Sequence, residues 1–497
     1  MHRTEPIKDE LLKLKQEIEK FAIDYGLDFY PVLFEVCDYD TVNILAAQGG
    51  FPSRYPHWRF GMDYDQLSKG YRYGIQKIYE MVINTNPCYA YLLRANNLVD
   101  QKTVMAHVYG HADFFKNNYW FSGTNRKMMD VMANHGTKIR RYMDIHGIET
   151  VETFIDKVLS IENLLDINLL FGVNSKKPDV VQADDEHDDL EGHSEALKSF
   201  LRSKARYDTE KNALSNSEKI EEIPRVVDSH LPCRDVIGFL MENAPLEEWQ
   251  ADILGLLREE AYYFLPQRMT KIMNEGWASY WHSTIMTKNA LTASEIVDFA
   301  DHHAGVMAMS KQSINPYKIG IELFRDIEHR WDTGKFGKDY NECTNMAKIE
   351  SWNKETNMGR EKIFEVRRTH NDITFIDEFF TQEFCQRQQI FTYKYNQRSS
   401  RFEIDSREFQ EIKSKLLNQL TNFGNPVIDV IDSNYQNRGE LLLRHEHYGV
   451  DLDYGQSSDT LINIFFLWTR PVYIETIIED SPSLIFYDGK EVQVKKI

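Results

Sequence analysis

His107 and His111 stand four residues apart in the run Thr-Val-Met-Ala-His-Val-Tyr-Gly-His-Ala-Asp-Phe-Phe-Lys-Asn-Asn, residues 103–118. In a helix, positions i and i+4 share a face, so both imidazoles can point at one ion. Zinc peptidases build their two-histidine helix this way, but where they carry a general-base glutamate after the first histidine this chain has Val108. A catalytic zinc site takes three protein ligands and keeps a fourth position open. Glu275 is the candidate third ligand: it lies in a helical run beside Gly276 and among aromatics, where a buried carboxylate needs a cation or hydrogen bonds. His282, seven residues on and on the same face, is a candidate fourth ligand or a donor standing behind one.

With Val108 in place of the glutamate, base chemistry has to come from elsewhere. Glu259 and Glu260, one helix earlier, are candidates, and Tyr109 is a candidate for polarising a carbonyl. Glu259 or Glu260, Glu275, His107, His111 and His282 together also supply enough ligands for a non-haem iron or di-metal site in a helical bundle, although the usual Glu-x-x-His spacing is missing. Plainer readings stand beside these. Two histidines at helical spacing recur by chance as polar helix contacts, Glu275 reads equally as a cap or a paired charge, and Glu259 and Glu260 as a helix's charged face. His135 and His146, each alone, read as satisfied polar residues.

The elements that must position these groups are mostly helical. Ile7, Leu11, Leu12, Leu14, Ile18, Phe21 and Ala22 keep helical spacing over 7–25. The aromatic loop 49–61 reads as an anchor packed on the core rather than a substrate contact. Residues 71–79 read as helix, and 81–93 as a strand or an extended pair that Pro87 confines to an edge or bulge. An edge strand before a two-histidine helix is the zincin arrangement, by analogy only. Helices are expected over 126–146 and 149–166, broken at Gly147, and over 246–264, ended at Pro266. Further helices fall over 295–311 and 318–331, with helical and polar segments to about 420. After Phe423 the period changes to short strands around one helix in 459–468, a small α+β domain with an antiparallel sheet. Four blocks result: a helical part over 1–173 with the two-histidine helix, a polar, partly disordered insertion over 174–227 with some helix at 194–206, a helical part over 228–422, and the small domain over 423–497.

Composition bounds the function classes. The net charge is 58 − 77 = −19, which gives no general attraction to nucleic acid or anionic lipid. The longest apolar runs, such as Ile464–Trp468, are far too short to span a bilayer, and the N-terminal stretch lacks a secretory apolar region. Five scattered cysteines, in no CxxC pair, fit a reducing cytosol and are poor candidates for metal ligands.

The two histidine- and glutamate-bearing runs, His-Val-Tyr-Gly-His-Ala-Asp-Phe-Phe-Lys-Asn-Asn at 107–118 and Thr-Lys-Ile-Met-Asn-Glu-Gly-Trp-Ala-Ser-Tyr-Trp-His at 270–282, resemble the hallmark motifs of the stage V sporulation protein R (SpoVR) family. So do Gly-Gly-Phe-Pro-Ser-Arg-Tyr-Pro-His-Trp (49–58), Asn-Thr-Asn-Pro-Cys-Tyr-Ala-Tyr-Leu (84–92), Glu-Glu-Ala-Tyr-Tyr-Phe-Leu-Pro-Gln (259–267), His-Ala-Gly-Val (303–306) and Asn-Pro-Tyr-Lys-Ile-Gly (315–320). Near the end, Asn-Arg-Gly-Glu-Leu (437–441) and Leu-Trp-Thr-Arg-Pro-Val (467–472) extend the resemblance over nearly the whole chain. The resemblance implies a bacterial, cytoplasmic protein linked in spore-formers to cortex peptidoglycan, with protein partners in sporulation or the cell envelope. It also implies that Val108 is the family pattern, and it brings no established activity. The expectation is a zinc-binding protein (iron or manganese being the alternatives) that hydrolyses an amide. The alternatives are a non-catalytic regulatory or scaffold protein of cortex assembly, or a non-haem iron or di-metal oxidase.

Overall fold

The computed structural model describes residues 4–72, 80–171, 231–309, 314–397 and 399–497. The expected insertion over 174–227, with its helical part, lies outside the described residues. So does most of the expected helix 71–79, whose first residues end the helix Trp58–Arg72. The protein is mainly helical, with a small sheet domain near its C-terminus. It divides into two compact units, Met1–Ala133 with Pro266–Leu420, and Asn134–Leu265 with Thr421–Ile497. The two units interleave along the chain, and the helices Met128–His146 and Glu248–Met269 each run through a division point.

The first unit is built on a four-stranded sheet in the order Glu5–Pro6, Val32–Cys37, Cys88–Leu93, Glu80–Ile83. Val32–Cys37 and Cys88–Leu93 pair in parallel, from Val32 opposite Cys88 to Cys37 opposite Leu93. A parallel pair needs a crossover, and the helices Tyr39–Ala47 and Trp58–Arg72 lie within it. The strand leading into the two-histidine helix is expected at an edge, but Cys88–Leu93 is flanked on both sides and Glu80–Ile83 is its outer neighbour. Pro87 falls in the connection between the two, where it removes no ladder amide. In the loop before Trp58, Phe51 and Tyr55 are buried, which is the anchor role their aromatic surface implied.

The helix Leu98–Asn117 starts at Asn97, whose side chain accepts from the Asp100 amide. Val104 to Phe115 are buried without interruption, so the helix is a core element rather than an amphipathic surface one. The helix Lys271–Ile285 packs against it and is almost as enclosed. Its buried N-terminus needs acceptors for its first amides. Asp372 supplies them, taking Ile272 N at 2.8 Å and Met273 N at 2.9 Å. Burial pushes the Asp372 carboxyl up to about 7 despite those two amides. Trp277 and Trp281 fill the same core with Phe324 and Phe364. Each such buried aromatic contributes roughly 1.5–3 kcal/mol or more of hydrophobic stabilisation. The segment after residue 390, expected to stay helical and polar, instead holds a hairpin pairing Thr392–Asn396 with Arg401–Ser406.

The second unit carries a five-stranded sheet ordered Val492–Lys496, Ser481–Tyr487, Val472–Ile478, Glu440–Glu446, Val427–Tyr435. It is antiparallel as expected except for one parallel pair, Glu440–Glu446 with Val472–Ile478, connected through the helix Tyr454–Trp468. Cys233 and Val430 exchange both backbone hydrogen bonds, at 2.9 and 2.7 Å, which ties the segment before the helix Val236–Asn243 to the sheet. The helix Glu248–Met269 is expected to stop at Pro266 but contains it. A proline in the last turn removes a single intrahelical bond, and the chain bears that loss there.

Candidate metal centre

The residues that the sequence proposes as ligands meet in the first unit. Nε2 of His107 and Nε2 of His111 each lie 3.5 Å from Oε2 of Glu275. The three donor atoms all fall within 4.8 Å of one another, and among the described residues they are the group of this kind that can hold a metal ion. An ordinary N–H···O bond is about 2.9 Å long. Two ligand atoms on one tetrahedral zinc, with bonds of about 2.1 Å, stand roughly 3.4 Å apart. The observed spacing matches the second figure. Both imidazoles are buried, and although the Glu275 side chain keeps 18% exposure, its Oε2 and the Nε2 of His107 are themselves buried.

Local sequence explains the convergence. The four-residue spacing puts both imidazoles on one face, and Gly110 between them lets the neighbouring helix come close. A Cβ there would fall 2.6 Å from Ala278 Cα. Gly276, directly after Glu275, makes a matching approach to Gly320 of the helix Pro316–Thr333, where a Cβ would lie 2.4 Å from backbone atoms. Two residues past His111, buried Asp113 accepts from Trp277 Nε1 at 2.8 Å and from the Asp28 amide at 2.8 Å. Burial pushes the Asp113 carboxyl up to about 6, with Arg367 opposing it. The Trp277 contact ties the two helices together, and the Asp28 contact ties the first of them to the segment before the strand Val32–Cys37.

The outer nitrogens of both imidazoles are held as well. His111 Nδ1 lies 2.8 Å from Asn274 Oδ1, so Nδ1–H donates to the amide oxygen; a protonated ring then turns an Nε2–H toward Glu275, and a neutral ring an Nε2 lone pair fit for a metal. His107 Nδ1 lies 2.8 Å from His282 Nδ1. Tyr317 stacks on His107 and Phe115 on His111. Burial raises the Glu275 carboxyl, but hydrogen bonding and charge from His107 and His111 outweigh it and hold the group well below the usual carboxylate range. His282 is pushed well below the usual imidazole range by burial and by the His107 and His303 rings beside it.

The other candidate residues are placed as follows. His282 stands behind His107, at its outer nitrogen, and so fits the supporting role rather than that of a fourth ligand. Tyr109 is two residues from His107, about 200° around the helix, and its ring packs against Phe29 and Phe34. It does not face the ligand group, and burial raises its hydroxyl far above the usual range. Glu259 and Glu260 are brought to His135, with Glu259 Oε2 at 3.3 Å from Nε2 and Glu260 Oε1 at 3.0 Å from Nδ1. Burial pulls the His135 imidazole down, but the two carboxylates outweigh it and push it up to about 9. Val108 is fully buried in the core, so no carboxylate takes the position of the peptidase base. Sequence reasoning gave no role to Asn274, His303, Tyr317 or Asp372. The first three lie inside the motifs quoted above, which was the available signal.

The SpoVR-like protein family matches residues 6–425. A protein of Escherichia coli (strain K12) described as the uncharacterized protein YcgB is 29% identical over 498 residues, covering 94% of this chain and 91% of the relative. No solved structure matches the chain.

Proposed function

Taking as premise that the chain belongs to the SpoVR family, we propose that it is a metal-binding protein with a zinc-type His2Glu centre made by His107, His111 and Glu275, serving spore cortex formation in spore-forming bacteria as a metal-dependent amide hydrolase of the cytoplasm. The observation that carries the reading is the pair of 3.5 Å separations from Glu275 Oε2 to the two imidazole nitrogens. Zinc bound there would supply a Lewis acid for a water and a substrate carbonyl. His107 and His111 would hold it through Nε2 and Glu275 through Oε2. Asn274 and His282 would fix the two rings through their outer nitrogens. Among the described residues no helix is long and apolar enough to cross a membrane, which is compatible with a partner or substrate met in water.

A second reading, a non-catalytic regulatory or scaffold protein whose motifs serve packing or a structural metal, is favoured by the residues next to His107. Val108 is buried where a peptidase has its base, and Tyr109 faces the core. Metal analysis of the purified full chain tests the proposal. It should contain about one equivalent of zinc, lost in His107→Ala and His111→Ala while helix content is kept. A chain that binds neither zinc, iron nor manganese would sink the first reading and leave a scaffold whose motifs serve packing. A metal-loaded chain whose histidine variants fully complement a deletion strain would leave the scaffold.

A further inference from the structure

Behind the ligand group runs a line of three imidazoles. His107 Nδ1 meets His282 Nδ1 at 2.8 Å, and His282 Nε2 meets His303 Nδ1 at 3.2 Å. His303 belongs to the helix Ile296–Val306 and is partly exposed. Its position is built rather than incidental. The neighbouring His302 Nδ1 lies 2.5 Å from Asp100 Oδ1, in the first turn of the two-histidine helix. Phe299 is buried and stacks on the His303 ring at 5.5 Å, while also meeting the His282 ring edge-on. Past the helix end, Asn315 Nδ2 donates to the carbonyls of Val306 and Ala308.

Neutral imidazoles in series can be protonated in only two orders, because each ring carries one N–H and one lone pair. In the outward order, His107 donates from Nδ1 to His282, and His282 donates from Nε2 to Nδ1 of His303. That order leaves Nε2 of His107 with a lone pair toward Glu275. In the inward order, His303 donates from Nδ1, His282 donates from Nδ1, and the His107 proton sits on Nε2, where a ligand bond would have to form. Metal binding and the inward order therefore exclude each other.

We propose that His282 and His303 are positioning residues for the metal centre, a two-imidazole relay that holds His107 in its ligand tautomer and makes metal retention depend on the acceptor at Nδ1 of His303. The proposal rests on the metal-centre reading above. A ligand's hydrogen-bonding partner typically changes metal affinity 10–100-fold. Here that dependence passes through one ring to a second, so a side chain that never touches the metal sets how well His107 holds it. The linkage works in reverse too. Docking of the helix Ile296–Val306 on His282 favours the metal-loaded protein, and metal favours the docked helix.

The test uses the full chain loaded with zinc and challenged with a chelator. In His303→Asn, the amide oxygen takes the place of Nδ1 and keeps an acceptor. In His303→Leu, the shape is roughly filled and no acceptor remains. Zinc should be released about 10-fold or more faster from His303→Leu than from the native chain, with His303→Asn close to native. Nitrogen NMR of selectively labelled histidines should show the His107 proton on Nδ1 and the His282 proton on Nε2 once zinc is bound. Equal release from all three proteins overturns the relay and leaves the metal centre standing. Equal loss from Leu and Asn also overturns it, because shape rather than the hydrogen bond would then matter. A native chain that takes up no zinc removes the metal centre itself, and the relay with it.

Discussion

Gly110 stands against Ala278 so closely that a Cβ on it would lie 2.6 Å from the Ala278 Cα and 3.2 Å from its Cβ. The obstacle is backbone, which cannot swing aside as a long side chain can. Alanine in a helix interior normally gains about 1 kcal/mol over glycine. Overpacking a close helix crossing costs typically 1–3 kcal/mol, occasionally more. The clash should win. Gly110→Ala is expected to lower the thermal midpoint and to reduce zinc content by parting His107 and His111 from Glu275. Gly305→Ala is the control, since nothing lies within 4 Å of its Cβ position. It should be neutral or slightly stabilising in the same melts.

Asn274 orients His111 through a single acceptor, its Oδ1 at 2.8 Å from Nδ1. Removing that acceptor frees the ring without touching a ligand. Asn274→Ala should weaken zinc binding about 10–100-fold in chelator competition, and Asn274→Asp should restore it, because a carboxylate accepts the same hydrogen bond. Equal affinity in Ala, Asp and native proteins would refute the role.

His135 is held between Glu259 and Glu260, and its imidazole is raised from an ordinary 6.5 to about 9. A group raised in the folded state stabilises fully below its unfolded pKa and ceases to do so as pH rises through the folded value. The window is therefore about pH 6.5 to 9. Glu259 is over a third exposed, which screens its share. The net effect should be on the order of 1–2 kcal/mol. Stability of the native chain should fall across that window, and His135→Gln should be less stable at pH 6 but flatter with pH. Denaturant melts at several pH values decide this.

Asp235 binds Arg258 in the second unit, with Nε at 2.8 Å from Oδ2, and both side chains are buried. Its other oxygen accepts from the Gly238 amide at the start of the helix Val236–Asn243. Asp235→Ala removes one partner and leaves a buried guanidinium. The expected cost is about 3–5 kcal/mol, read as a lower denaturant midpoint. The double variant Asp235→Ala with Arg258→Met should recover much of it, because the buried guanidinium is removed together with its carboxylate.

How far the sequence led depends on the range of the interaction. Ile18 and Ala22 are buried on the helix Asp9–Asp24, as their spacing implied, because helical period is a local property. The His107–His111 face follows from the same local geometry. Glu275 could be named because a carboxylate among aromatics and beside a glycine needs a reason to be there. The choice for His282 stayed open, since period alone puts it on the right face and cannot say which nitrogen it meets. Glu259 and Glu260 look like a charged helix face, and the histidine they bind is 125 positions from Glu260 in sequence. The parallel pairing of Val32–Cys37 with Cys88–Leu93 was equally invisible, because an apolar strand carries no mark of its partner's direction. The helix through Pro266 shows local propensity overruled by packing, with Leu265 and Met269 buried on either side of the proline.

The first unit is assembled from two stretches of chain with Asn134–Leu265 between them, and the ligand group draws on both stretches. On the ribosome, His107 and His111 therefore emerge well before Glu275, with 275 − 111 = 164 residues separating the last two donors. A growing chain that has reached residue 265 offers two imidazoles and no carboxylate to complete them. Bringing the ends of such a span together costs about 4–5 kcal/mol of chain entropy. Packing of the helix Lys271–Ile285 against Leu98–Asn117 has to meet that cost before three donors face one point. On the proposed metal centre, tight capture would thus be a late event in biogenesis, and an ion held by all three donors would mark a chain whose first unit has closed.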